Sequence, residues 1–297
     1  MTPGFDEVWL DPSGRLIAAQ PVGLALLVSC DGVWAWHLGM GVHVVRMEVM
    51  SDCRPIVFVH GLFGPFAERE TFAQLEPALC TAPDLDGYGP GADRPVTVAG
   101  QVASLRAHVE KEHGDGPVHL VGHSIGSVYA FTLANQSPWL VASVTSVEGN
   151  FSLADAFWSR SIAAMSEDQA RLSIESRLSD PRGFLTGDNI PVTDENLARA
   201  REALAYQSWR TVWESAKAIV GATSGPDYEE LLRSVFTSRP VHLIAGQRSS
   251  KDWHVPGWAR EQAATFTTLA GAGHCMMLEQ PAPFGRALAA ALAAVTP

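Results

Sequence analysis

Apolar residues in this chain fall into short unbroken runs, separated by longer stretches in which they recur every three or four positions. Ile56-Val57-Phe58-Val59 is one such run and Val118-His119-Leu120-Val121 another; residues 140–147, 241–245 and Thr265–Leu269 follow. Unbroken runs of this length suit strands covered on both faces of a parallel sheet. Between them, residues 68–79, 96–113, 125–136, 257–264 and 284–294 carry helical periodicity. Thr97 stands near the start of the second helix and Gly114 just past its end, and the third stops before Ser137-Pro138. Alternating strand and helix predicts an α/β fold, a doubly wound and mostly parallel sheet with right-handed crossovers.

The alternation lapses between about 151 and 238. Helical patterns cover 154–165, 167–178, 194–219 and 228–235, with no strand among them, and Pro181-Arg182-Gly183 and Ser224-Gly225-Pro226 interrupt them. A helical cap over one end of the sheet is expected here. The core is then 1–150 with 239–297, and the cap is 151–238. Trp158, Trp209 and Trp213 lie in the cap, as core residues more than as substrate contacts. Ahead of the first clear strand, residues 23–29 and 42–49 read as a hairpin around Asp31-Gly32.

The first residues carry Asp6, Glu7 and Asp11 against Arg15, unlike the basic start of a secretory signal. The apolar run 22–30 is short of the ~20 residues a membrane span needs. A cytoplasmic protein is expected. Leu27-Val28-Ser29-Cys30 offers the alternative of a lipoprotein cleavage box with a lipid on Cys30, and translation starting at Met47 or Met50 is a further reading.

Composition narrows the chemistry. Of 297 residues 46% are hydrophobic and 18% charged, enough to bury a sizeable core. A net charge of −11 argues against nucleic acid as a partner, which would call for clustered Lys and Arg. The four cysteines, Cys30, Cys53, Cys80 and Cys275, form neither a CxxC pair nor a zinc-ligand spacing with histidine. Reduced thiols, no metal and no organic cofactor are expected.

Gly122-His123-Ser124-Ile125-Gly126 is the strongest chemical signal. It is G-x-S-x-G placed after a buried strand and opening a helix. A turn this sharp strains the serine backbone and tolerates only small neighbours, which Gly122 and Gly126 supply. It lifts the Ser124 hydroxyl over the carboxyl edge of the sheet, beside the free N–H groups of a helix start. His60-Gly61-Leu62-Phe63-Gly64 follows the first strand, and Gly271-Ala272-Gly273-His274 follows the last. With these three motifs in this order, the chain from about Pro55 to its end resembles the α/β-hydrolase family.

The resemblance implies Ser124 as nucleophile and His274 as the base. It implies an oxyanion hole from the backbone N–H groups of Leu62 and Ile125, with His60 structural. Asp84, in Ala82-Pro83-Asp84-Leu85-Asp86-Gly87-Tyr88-Gly89, matches a structural segment. Two acids keep the family's order. Asp252 follows the strand 241–245, the commoner position, but stands six residues past Gly246 where about three is usual. Glu148 ends the preceding strand, the position used by zearalenone lactonases, and is preferred. His119, His123 and His242 lie in or beside strands and are read as packing or supporting groups.

The expected activity is hydrolysis of a small-molecule carboxylic ester or lactone through an acyl-enzyme. Alternatives on the same fold are amide or carbon–carbon bond hydrolysis, acyl transfer, a cofactor-free dioxygenase, or a small-molecule receptor with vestigial turnover. Epoxide hydrolases and haloalkane dehalogenases of the family place Asp where this chain has Ser124.

Overall fold

The structure, a computed structural model, describes residues 54–66 and 68–294, and within 1–53 the backbone of five strands. By its contacts the chain divides into two compact units, one ending at Cys53 and the other beginning at Arg54.

In the first unit Val8–Leu10 pairs antiparallel with Leu16–Ala19. Ala25–Val28, Val33–Leu38 and Gly41–Arg46 form a three-stranded antiparallel sheet. The expected hairpin paired 23–29 directly with 42–49. The structure inserts Val33–Leu38 between them, a strand the sequence reading passed over. Cys30, Asp31, Gly32, Met47, Met50 and Cys53 lie outside the described residues.

The second unit carries the predicted sheet. Its strands are β1 (Ile56–Val59), β2 (Cys80–Thr81), β3 (Val118–His123), β4 (Val141–Val147), β5 (Val241–Gly246) and β6 (Thr265–Leu269). They lie in the order β6-β5-β4-β3-β1-β2, every neighbouring pair parallel. Each face is covered, which explains the unbroken apolar runs. Val57 and Val59 of β1 join one core with Leu120 of β3 and Leu243 of β5. Ile56 and Phe58 point the other way, into a core with Val121, Ile244, Phe284 and Leu288.

The flanking helices are α1 (Arg69–Ala73), α2 (Val98–His113), α3 (Gly126–Gln136), α10 (Gly257–Gln262), α11 (Met276–Glu279) and α12 (Pro281–Ala293). Thr97 caps α2, its hydroxyl accepting from Gly100 N at 2.9 Å, and Gly114 ends it at φ 69°. The helix expected over 68–79 stops at Ala73. Pro77 has no N–H to give a helical ladder, and the chain turns into the two-residue strand β2.

Between β4 and β5 run α4 (Phe157–Ala163), α5 (Glu167–Leu178), α6 (Pro181–Gly187), α7 (Asp194–Ala205), α8 (Trp209–Thr223) and α9 (Pro226–Ser238). Two details differ from expectation. Pro181 opens α6 instead of breaking the chain, because it sits at the first helical position behind an Asp180 cap that accepts from Gly183 N at 2.8 Å. The single helix over 194–219 is two. Tyr206 gives its carbonyl to Gly89 N at 2.9 Å, and Ser208 caps a fresh helix by accepting from Thr211 N at 3.1 Å.

This junction grips the sheet's loops. Gln207 Oε1 accepts from Gly64 N at 3.1 Å, and Tyr206 donates its hydroxyl to Asp84. No helix among the described residues is long and apolar enough to cross a membrane.

Candidate active site

In the sheet order, β1 lies between β2 and β3, so the chain leaves β1 toward one edge and returns on its other side. Open α/β sheets hold their ligands outside the carboxyl ends of the strands flanking such a point. Here those ends carry His60-Gly61-Leu62 after β1 and Ser124 after β3.

Ser124 has φ 51°, the left-handed conformation that a non-glycine residue adopts only under constraint. Its glycine neighbours are obligatory. A Cβ on Gly122 would lie 2.5 Å from Ser127 Cα, and one on Gly126 would lie 2.4 Å from the carbonyl oxygens of Val59 and His60. The β1 loop presses equally close, since a Cβ on Gly61 would meet His123 Nδ1 at 3.0 Å and Ser124 Cβ at 3.2 Å.

Leu62 and Ile125 are buried, and among the described residues no acceptor takes either backbone N–H. Ile125 is the cap position of α3, where the helix dipole adds to its N–H. His60 Nδ1 donates to Gly61 O at 2.9 Å. A trans peptide points its carbonyl and N–H in opposite directions, so this bond aims the Leu62 N–H away from His60. Burial brings the His60 pKa down to about 4, so the ring is a neutral brace.

Glu148 ends β4 at φ 43°, a second left-handed non-glycine residue at the neighbouring strand end. Its carboxylate, 5% exposed as a residue, accepts three hydrogen bonds. Oε2 takes one from His274 Nδ1 at 2.7 Å, and Oε1 takes one from Gly246 N at 2.8 Å and one from Ser249 Oγ at 2.6 Å. Burial works to raise the Glu148 pKa, but the imidazole and the two further donors outweigh it and hold the carboxyl below its usual range. For His274, burial opposes the charged form, and the Glu148 bond and charge more than reverse it, so its pKa is raised. The partner at Nδ1 sets the tautomer and leaves Nε2 as the acceptor.

Asp252, the other candidate acid, stands exposed at the end of the short 3-10 turn Ser250–Asp252. The place three residues past Gly246 belongs to Ser249, which serves Glu148 instead.

The loop bearing His274 is held by residues that the sequence reading left aside. Arg248 pairs through both terminal nitrogens with Glu279, at 2.8 and 2.9 Å, and also donates to Gly271 O. Glu279 Oε2 accepts from Gly273 N at 3.1 Å, and Gln247 Oε1 from Gly271 N at 2.8 Å. The signal was the five-residue stretch Gln-Arg-Ser-Ser-Lys ahead of Asp252, three of whose members brace the site. His123 lies beneath, donating Nε2–H to His274 O at 3.1 Å with the ring centres 4.7 Å apart; burial holds its pKa well below normal. His119 and His242 bond Ser143 and Thr265 inside the sheet, away from Ser124.

Ser124 and His274 open onto one cavity of about 620 Å³. Its apolar wall includes Leu62, Phe63, Phe66, Trp158, Phe184 and Met277. Of the three tryptophans singled out from the sequence, Trp158 faces this cavity; Trp209 and Trp213 pack on the core under Arg210 and Lys217. No hydrogen bond joins Ser124 Oγ to His274 among the described contacts, and in unliganded sites such bonds commonly tighten only with substrate. Among the described residues no group of three or more His, Cys, Asp or Glu is placed to hold a metal ion.

The sequence profile of the Alpha/beta hydrolase family matches residues 56–287. A triacylglycerol lipase of Vibrio cholerae is 31% identical over 135 residues, 42% of this chain and 41% of that protein. Lipase LipV of Mycobacterium tuberculosis is 34% identical over 174 residues, 57% of this chain and 66% of that protein. The chain thus aligns with less than two thirds of either relative's length. Among solved structures, the haloalkane dehalogenase DbeA from Bradyrhizobium elkani superposes with a TM-score of 0.62 at 19% identity, over 91% of this chain and 97% of that one. A carboxylesterase study of the thaumarchaeon Nitrososphaera gargenis supplies another, TM-score 0.58 at 18% identity, over 86% and 93%. At these identities the structural likeness establishes the fold.

The crowding around Ser124 is directly measurable. Gly126→Ala is expected to cost about 3 kcal/mol in chemical unfolding, because backbone carbonyls of β1 and its loop must move. A Gly126→Ala protein as stable as wild type would show that the turn has room to spare.

Proposed function

The chain belongs to the alpha/beta hydrolase family, and from that premise we propose that it is a serine hydrolase of carboxylic esters or lactones. The observation that carries this reading is the 2.7 Å bond from His274 Nδ1 to a buried Glu148, beside a cavity onto which a left-handed Ser124 also opens. The lipase names of the two sequence relatives support the ester class. Residues 151–238 act as a cap that adds Trp158 and Phe184 to the cavity wall beside Phe63 and Phe66.

In the proposed reaction, Ser124 Oγ attacks the substrate carbonyl as His274 Nε2 takes its proton. Glu148 stabilises the imidazolium and keeps the ring in the tautomer that can accept. The oxyanion settles between the N–H groups of Leu62 and Ile125, which nothing else in the described structure occupies. On collapse, His274 returns the proton to the departing alcohol. Water then enters, is deprotonated by the same imidazole, and releases the acid and Ser124. The serine hydroxyl stands where dehalogenation on this fold uses a carboxylate, so alkyl halides are not the expected substrates.

A fluorophosphonate probe read by intact mass tests the nucleophile. One adduct is expected on wild type and none on Ser124→Ala. Glu148→Gln should label slower by roughly 10⁴-fold, the scale of losing the group that fixes the imidazole tautomer, whereas Asp252→Asn should label within about twofold of wild type. A folded wild-type protein that takes no adduct would overturn the reading.

The pH dependence has a definite sign. Only neutral His274 can accept the serine proton, and its pKa is raised above 6.5 by Glu148. The kcat/KM of a neutral ester should therefore fall on acidification with a midpoint above 6.5. In Glu148→Gln that midpoint should move down; an unmoved midpoint would detach Glu148 from the base.

A further inference from the structure

Arg177 stands in the last turn of α5 and lines the same cavity as Ser124 and His274. Its guanidinium carbon lies 5.0 Å from the ring centre of Trp158, 5.4 Å from that of Phe184 and 5.9 Å from that of Phe63. The side chain is half-buried, and among the described residues it forms no ion pair and no hydrogen bond. Nε is sealed from solvent without a partner, whereas the two Nη groups remain accessible.

Of the other charges on this wall, Glu202 and Arg69 are exposed and form no ion pair among the described residues, and the rest are engaged elsewhere. Arg199, on the same wall and 13% exposed, is paired with Glu68, Glu70 and Glu195. Asp155 is occupied by the N–H groups of Phe151, Ser152 and His254. Asp188 sits against Cys275 Sγ at 3.7 Å and makes no ion pair with Arg177.

A cation withdrawn from water into an aromatic cage loses hydration that cation–π contacts restore only in part. The missing part is what an anion would supply. A planar fork held by three rings keeps little rotamer freedom to lose on binding, and it matches one carboxylate, whereas a phosphate dianion would leave charge uncompensated.

We propose that Arg177 is an anion-recognition residue and that the preferred substrates are esters or lactones carrying a free carboxylate, bound at Arg177 while their carbonyl meets Ser124. This rests on reading the cavity as the site of ester hydrolysis.

Two substrate sets place the acid on either side of the ester. One compares mono(4-nitrophenyl) esters of straight-chain diacids, adipate to sebacate, with 4-nitrophenyl esters of the matching monoacids. The other compares 4-carboxyphenyl with phenyl esters of the same monoacids. In at least one set and chain length, wild type should favour the charged ester by about 10–100-fold in kcat/KM, chiefly through KM. Arg177→Met, which keeps the bulk within the cage, should abolish that preference by lowering kcat/KM for the charged esters by about 10–100-fold more than for the neutral ones. Arg177→Lys should retain part of it.

Preference for the neutral ester in both sets, or a ratio unmoved by Arg177→Met, would overturn the proposal. So would an equal slowing of charged and neutral esters in Arg177→Met, the mark of a merely structural role. If Ser124 takes the fluorophosphonate but no charge preference exists, this inference falls and the hydrolase reading stands. If neither labelling nor turnover occurs, the hydrolase reading falls, and adipate or suberate titration followed by tryptophan fluorescence decides the anion site. Saturable binding lost in Arg177→Met supports it, and no binding overturns it.

Discussion

A carboxylate taken out of water keeps its charge only where donors or a cation meet it. Glu148 meets three donors, and each comes from a different element. The end of β5 gives Gly246 N, the turn after it gives Ser249 Oγ, and the loop after β6 gives the His274 imidazole. Moving His274 leaves Oε2 bare and moving Gly246 or Ser249 leaves Oε1 with one donor in place of two, so the carboxylate ties the ends of β4, β5 and β6 to each other. The Arg248–Glu279 pair completes the arrangement by taking hold of the backbone just ahead of His274.

Two residues with unfavourable backbone geometry, Ser124 and Glu148, sit at adjacent strand ends. Each such conformation costs on the order of 1–3 kcal/mol and persists only where the surroundings dictate it. For Ser124 the dictating contacts are the β1 carbonyls that leave no space for a side chain at Gly126. For Glu148 they are the hydrogen bonds to its own carboxylate. Strain here is coupled to direction: both turns deliver a polar side chain to the carboxyl edge of the sheet.

What was legible beforehand follows from what is local. Buried strands write themselves as unbroken apolar runs, and β1, β3 and β5 were placed to within a residue or two. The three glycine-flanked motifs are local as well, because the crowding that requires their glycines lies beside them in sequence. Glu148 was preferred over Asp252 because the resemblance offers an acid at that strand end and six residues past Gly246 is longer than usual; Glu148 Oε2 lies 2.7 Å from His274 Nδ1. The unread parts are long-range. The two-residue β2 has too few positions to show a period, and α6 looked broken because Pro181 reads the same inside a helix or at its start. Arg248 with Glu279, and Arg177 with Phe63, Trp158 and Phe184, are partners only once the chain has folded.

Charge in the cavity is distributed with the same economy of partners. Among the wall's cations Arg199 has three acids and Arg69 is exposed, whereas Arg177 holds rings alone. The centre of the account nonetheless remains the Glu148–His274 contact, and its most direct test is the titration of His274 followed by NMR at equilibrium. In wild type the His274 pKa should lie above the 6.5 of a free imidazole; it should drop in Glu148→Gln and hold in Asp252→Asn. A His274 that titrates identically in wild type and Glu148→Gln would contradict the account at its root.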